Sequence, residues 1–174
     1  TSTRTLTVNG SGNTALANIT TSTKPPSAQF WGPKTAMHVV FRESHGLEET
    51  DTPFDPGQTP ADLVVLSFSD SDLGAFAAGW HRGRDRLPTV RLANLVALRH
   101  PLSVDTYIEN TLSGVKGILI RLIGGESYWP YGLASVQDLC RRRGIALAVL
   151  PADGRDDPAL DALSTLPVST LRRL

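Results

Sequence analysis

From residue 37 onward, short apolar runs alternate with segments whose apolar positions recur every three or four residues. The first run, Val39-Val40-Phe41, predicts a strand over Met37–Phe41. Leu63-Val64-Val65-Leu66 is continuously apolar and of strand length, the pattern of a strand buried on both faces. Leu73, Phe76, Ala77 and Trp80 then fall at i, i+3, i+4 and i+7, one face of a helix. Ser69-Asp70-Ser71-Asp72 offers capping side chains before that helix, and Gly83 and Pro88 end it. Val90–Leu95 predicts the next strand. Ser103 is expected to cap a second helix, in which Val104, Tyr107, Ile108 and Leu112 share a face and which Gly114 and Gly117 close. Gly117–Ile123 reads as a strand with Arg121 embedded in it. Tyr131–Arg143 predicts a helix with Leu133, Val136, Leu139 and Cys140 inward, Arg141-Arg142-Arg143 at its negative dipole end and Gly144 as its cap. Ile145–Leu150 is the last strand, and short helices are expected around Ala159–Ser164 and Ser169–Leu174.

Strands that alternate with helices imply right-handed βαβ crossovers and a sheet covered on both faces. The expected fold is therefore α/β: an open, doubly wound, mostly parallel sheet of four or five strands. A flavodoxin-like order, 2-1-3-4-5, fits best. Glu43 to Pro60 carries Pro53, Pro56, Gly57 and Pro60 and is expected to be irregular. There is no internal repeat. The final Thr170-Leu171-Arg172-Arg173-Leu174 reads as an unfinished helix, which suggests a truncated chain.

Composition changes the picture at the N-terminus. Thirteen of the first 36 residues are Ser or Thr, and none is Asp or Glu. Such a segment has too little apolar surface to offset its ordering entropy, so residues 1–36 are expected to be a flexible tail or an upstream reading-frame artefact. Met37 is the only methionine and stands at the change in composition. Gly10-Ser11-Gly12-Asn13-Thr14-Ala15 fits the loose pattern G-x-G-x-x-A, but no acidic residue follows before Glu43 and the next stretch is Ser/Thr-rich, so coincidence is the better reading. No continuous apolar stretch marks a secretory signal or a membrane span.

Charge and cysteine content exclude several classes. The 17 basic residues equal the 17 acidic ones over the whole chain. A generic nucleic-acid binder would carry a basic excess. Cys140 is the only cysteine, so an internal disulfide and a cysteine-based zinc cluster are both excluded, and a reducing, cytoplasmic setting is expected.

In open α/β sheets, ligands bind outside the C-terminal strand ends. Four loops qualify. They carry Ser67, Ser69, Asp70 and Asp72; Arg99 and His100; Gly124 to Tyr131; and Asp153, Asp156 and Asp157. The third is the most unusual. Gly124 and Gly125 allow close backbone approach, and Tyr128, Trp129 and Tyr131 offer flat surface for a planar ring. For that cluster, contact with a ligand or another domain and plain packing at the sheet–helix junction are equally open. Asp70 and Asp72 resemble the acidic pair of a magnesium site in receiver domains, but that site's other residues are missing and helix capping explains them better. Arg99-His100-Pro101 has the makings of a carboxylate or phosphate contact, or Arg99 pairs with Asp105. Arg121 in an apolar strand needs a carboxylate partner or a place in the crevice. His38, His45, His81 and His100 are scattered without metal-ligand spacing. The P-loop, G-x-S-x-G, H-E-x-x-H and C-x-x-C patterns are all absent. By chemistry alone this is a ligand-binding or interaction domain.

Several segments taken together resemble a known family. Pro60-Ala61-Asp62-Leu63-Val64-Val65-Leu66-Ser67-Phe68-Ser69-Asp70-Ser71-Asp72-Leu73 looks like part of the large subunit of aerobic cobaltochelatase. Arg91 to Leu95 with Leu98 to Asp105, Ile120 to Gly125 with Tyr128 to Gly132, Arg143 to Leu147 and Leu163 to Pro167 are similar to further segments, in family order across residues 37–174. The resemblance implies an N-terminal domain of a much longer polypeptide, related to the porphyrin-binding subunit of magnesium chelatase. It implies a cytoplasmic enzyme of cobalamin biosynthesis that inserts Co²⁺ into hydrogenobyrinic acid a,c-diamide with hydrolysis of ATP, with Mg²⁺ serving the nucleotide. Two smaller AAA-type subunits would handle the ATP, consistent with the missing P-loop. No metal-insertion residue carries over to this chain, no cofactor is expected in it, and the fragment alone is expected to be inactive. Arg99, Arg121, Gly124, Gly125, Tyr128, Trp129 and Tyr131 are the candidate corrinoid contacts from the strand-end reading. The alternatives are a free-standing module for a tetrapyrrole or nucleotide, and a receiver-like interaction domain.

Overall fold

The structure, a computed structural model, describes residues 37–40 and 52–174. The expected N-terminal tail and the first part of the irregular loop lie outside the described residues. Among the described residues five parallel strands form one sheet: β1 (Met37–Val40), β2 (Leu63–Ser67), β3 (Val90–Asn94), β4 (Gly117–Leu122) and β5 (Ala146–Pro151). They lie in the order β1-β3-β2-β4-β5. Counted from β2, the four strands other than β1 run 2-1-3-4, the start of the flavodoxin progression. β1 departs from the expected numbering because it joins the far edge, pairing Met37 with Val90 and Val40 with Ala93.

Among the described residues five α-helices accompany the sheet: α1 (Asp70–Gly83), α2 (Pro101–Asn110), α3 (Pro130–Arg143), α4 (Pro158–Leu163) and α5 (Val168–Leu171). The strand period of two separates two layers. Val64, Leu66, Ile118, Ile120, Leu147 and Val149 face α2 and α3, where they meet Val104, Tyr107, Leu133, Val136 and Leu139 in the main core. Val65, Val90 and Leu92 face the other way and meet Leu73, Phe76 and Trp80 of α1. The inward positions expected for α1 and α3 are those observed.

Local chemistry sets the helix ends. Ser69 caps α1, its Oγ accepting from the Asp72 N–H at 3.2 Å, and Asp70 and Asp72 favour the positive end of the helix dipole. Gly144 closes α3 at φ 68°. Expected capping of α2 by Ser103 needs correction. Pro101 has no N–H to lose and starts the helix, so His100 is the cap, with Nδ1 accepting from the Leu102 N–H at 3.1 Å. Ser103 is buried inside the first turn and its Oγ accepts from the Phe54 N–H at 2.7 Å.

Polar side chains hold the sheet. At its N-terminal edge Asp62 joins three strands: its carboxylate accepts from the Thr89 N–H and hydroxyl, and Lys116 Nζ lies 2.7 Å away. Those bonds, that to Lys116 foremost, hold the Asp62 carboxyl down at about 2. Under the strap before β2, Gln58 Nε2 donates to Leu92 O, Tyr107 Oη donates to Gln58 Oε1, and Thr111 Oγ1 donates to Gln58 O. The outer edge of β5 is closed by Ser164 Oγ, which accepts from Val149 N–H, and Thr165 Oγ1, which accepts from Leu147 N–H.

Candidate functional site

The chain leaves β2 toward β3 on one side and later crosses to β4 on the other, so β2 and β4 flank the topological switch point, where ligands of such sheets bind. The residues there bond mainly to one another. Ser67 Oγ, at the end of β2, donates to Asp72 Oδ2 at 3.1 Å. Arg121, at the end of β4, sets Nε 3.4 Å from the same oxygen and donates from Nη2 to Ala152 O at 3.1 Å. Nε lacks a hydrogen bond along its N–H direction, so the pair is coulombic in character. Arg121 thus has the carboxylate partner that its place in an apolar strand demanded. Asn94, at the end of β3, donates from Nδ2 to Asp70 Oδ1 at 2.6 Å, and its Oδ1 accepts from Val96 N–H to start the 3-10 turn Leu95–Leu98. Asp70 and Asp72 are committed to these contacts. Among the described residues no group of three or more His, Cys, Asp or Glu has a metal-holding arrangement.

The glycine-aromatic loop divides into an inner and an outer part. Gly124 and Gly125 have φ of 83° and 82°, in the region that favours glycine. A Cβ on Gly124 would overlap the Tyr128 ring, so that ring lies directly on the loop backbone. Tyr128 is 56% exposed and meets the Phe68 ring edge-on at a centroid distance of 6.2 Å. The exposed guanidinium of Arg99 lies 5.9 Å above the same Phe68 ring, a cation–π arrangement. Arg99, Phe68 and Tyr128 form one surface cluster. Phe68 escaped the sequence reading, although it directly follows the buried β2 run.

Trp129 and Tyr131 point elsewhere. Trp129 is only 4% exposed and donates from Nε1 to Leu98 O at 2.8 Å. A Cβ on Gly132 would overlap its indole, so the glycine makes room for it. Tyr131 Oη donates to Asp105 Oδ1 at 2.8 Å and ties α3 to α2, which raises its pKa above the ordinary value. Asp105 is therefore engaged by Tyr131. Beside the glycines, between the ends of β4 and β5, lies a cavity of about 270 Å³ rimmed by Asp153, Arg155, Asp156 and Asp157. Asp157 caps α4, and Asp156 pairs with Arg172 at 3.0 Å.

Comparison with known proteins fixes the context. The chain is 38% identical over 138 residues to the aerobic cobaltochelatase subunit CobN of a Sinorhizobium species, and 38% identical over 137 residues to that of Pseudomonas aeruginosa. Each match takes in 79% of this chain. Over this stretch the chain is similar in sequence to the cobaltochelatase subunit CobN. It spans about 11% of the length of these CobN relatives. A solved structure of the catalytic subunit of cobaltochelatase from Mycobacterium tuberculosis aligns with a TM-score of 0.47 at 22% identity, over 66% of this chain and 8% of that one. No family model matches the chain. The chain is thus one CobN-type α/β unit. Among its described residues no helix is long and apolar enough to cross a membrane.

Proposed function

We propose that this unit is the N-terminal domain of a cobaltochelatase large subunit that binds hydrogenobyrinic acid a,c-diamide for ATP-dependent insertion of cobalt in cobalamin biosynthesis. The observation that carries the reading is 38% identity to two CobN proteins sustained over 138 and 137 residues. The rest of the large subunit would supply the metal-insertion residues, and two smaller AAA-type subunits would consume ATP with Mg²⁺, in the cytoplasm. Co²⁺ is substrate in this scheme. The described residues offer neither a metal-holding group nor a P-loop, so no step of metal insertion or ATP hydrolysis is assigned to them.

The share of this domain in corrinoid binding would fall on the outer cluster. Tyr128 presents an exposed ring for the edge of a planar macrocycle, and Arg99 presents an exposed cation for its carboxylates. Gly124 and Gly125 set the Tyr128 ring in place. Arg121, Trp129 and Tyr131 would support the cluster from behind, since Arg121 Nη2, Trp129 Nε1 and Tyr131 Oη already donate to Ala152, Leu98 and Asp105. The acidic cavity next to Gly125 suits the amide side chains of the macrocycle better than its carboxylates. The test is titration of the full-length subunit with hydrogenobyrinic acid a,c-diamide. The double variant Arg99→Ala, Tyr128→Ala is expected to weaken binding about tenfold or more, on the scale of one lost charged contact and one lost aromatic contact. Unchanged affinity would remove this domain from the ring-binding surface.

A further inference from the structure

A doubly wound sheet has helices on both faces. Here α2 and α3 cover one face, but on the other α1 lies mainly over β1, β2 and β3 and reaches β4 only at its near side, through Leu119 and the Asp72–Arg121 pair. Over β4 and β5 an open apolar groove of about 660 Å³ remains among the described residues. Its floor is Gly117, Leu119, Ala146 and Ala148, and Phe76 of α1 forms one bank. Leu174 and the half-exposed Leu87 stand on its rim. The small floor residues allow another backbone to approach closely. β4 and β5 have six residues each, roughly 20 Å of strand. A helix of about 13 residues has the same length.

Exposed arginines stand beside the groove, together with Asp85, which lies 3.9 Å from Arg84. Arg82 Nη2 lies 3.9 Å from the point where a Cβ on Gly79 would sit, and Gly79 lines the groove. Exposed Arg86 and Arg173 are chain neighbours of the lining residues Leu87 and Leu174. The CobN relatives also have about nine-tenths of their length outside the matched stretch, which is ample chain to supply a cover.

We propose that this groove seats an amphipathic helix contributed by a CobN-length subunit from outside residues 1–174, its apolar stripe on β4 and β5 and its flanks acidic. The inference rests on the reading of this unit as part of such a subunit. The test is hydroxyl-radical footprinting of the 174-residue chain and of the full-length subunit side by side. Oxidation of Phe76, Leu87 and Leu119 is expected to fall at least about fivefold in the full-length protein. Equal oxidation in the two would overturn the proposal. So would protection already present in the 174-residue chain, whether it disappears on deletion of residues 1–36, which makes the cover internal, or on dilution, which makes it a second copy. To identify the cover, Leu87→p-benzoylphenylalanine in the purified full-length subunit is expected to photocrosslink within that polypeptide to a segment with apolar residues at i, i+3, i+4 and i+7 and Asp or Glu beside them. A crosslink to any segment without that pattern would overturn it. If the source cells contain no polypeptide longer than this chain, it is the underlying reading that fails, and the size of the cellular protein reports this separately.

Discussion

Trp129 offers a direct contest between a ligand-stacking role and a packing role. Its indole fills the space between the first turn of α3 and the Leu95–Leu98 turn, with Nε1 bonded to Leu98 O and Gly132 cut back to admit it. Truncation by Trp129→Ala would remove a large buried side chain, at about 3–5 kcal/mol. It would also strip Leu98 O of its donor, a further cost of about 1–3 kcal/mol if no water enters. Against a total stability of about 5–15 kcal/mol this variant is close to unfolding. Trp129→Phe keeps most of the volume, loses the hydrogen bond and is expected to cost about 1–3 kcal/mol. Gly132 sharpens the test. In the native background, Gly132→Ala forces a Cβ into the indole and is expected to destabilise by about 1–3 kcal/mol. In the Trp129→Ala background the clash is gone, and alanine's better helix propensity, about 1 kcal/mol over glycine, makes the same change neutral or stabilising. The coupling is therefore about 2 kcal/mol, from urea unfolding followed by far-ultraviolet circular dichroism. Equal cost of Gly132→Ala in both backgrounds would refute the packing argument. So would a Trp129→Ala variant as stable as the native chain.

Three further outcomes follow from the same geometry. Because the Asp62 carboxyl lies at about 2 when folded against an ordinary 3.8, it contributes stability above about pH 4 that is lost as pH falls toward 2. Asp62→Asn should flatten the fall in Tm across that window, and parallel curves for the two proteins would contradict this. Cys140 is buried in the core and burial pushes its thiol up to about 11, so labelling by a disulfide reagent at pH 8 should be slow in the native chain and fast in urea; rapid native labelling would show that α3 opens. Gly124→Ala, at φ 83° and against the Tyr128 ring, should cost about 1–3 kcal/mol and displace that ring. Loss of Tyr128 proton-NMR contacts to Phe68 would report the displacement, and retained contacts with full stability would contradict it.

Much of the fold was legible because its signals are local. The apolar runs Leu63–Leu66 and Ile145–Leu150 became β2 and most of β5, and the helix faces of α1 and α3 point where their periods put them. Ser69 and Gly144 cap as their chemistry requires. What the sequence could not show is pairing at a distance. Nothing near Met37 says that β1 joins β3 at the far edge, and nothing near Gln58 announces its bonds to Leu92, Tyr107 and Thr111. At the candidate site, the loops were found by the strand-end rule, and the need of Arg121 for a carboxylate was plain from its apolar strand. That Asp72 meets the need, that Trp129 turns inward and that Phe68 joins Arg99 and Tyr128 are all consequences of sheet order. Aromatic residues one apart along a loop carry no period from which inward and outward can be separated.

The account rests on this α/β unit being one part of a cobaltochelatase large subunit. The most direct measurement is an immunoblot of the source cells with antibody raised against residues 63–150. The account predicts a band far above the 18.7 kDa of this chain. A band at or just below that mass, with none larger, would contradict it.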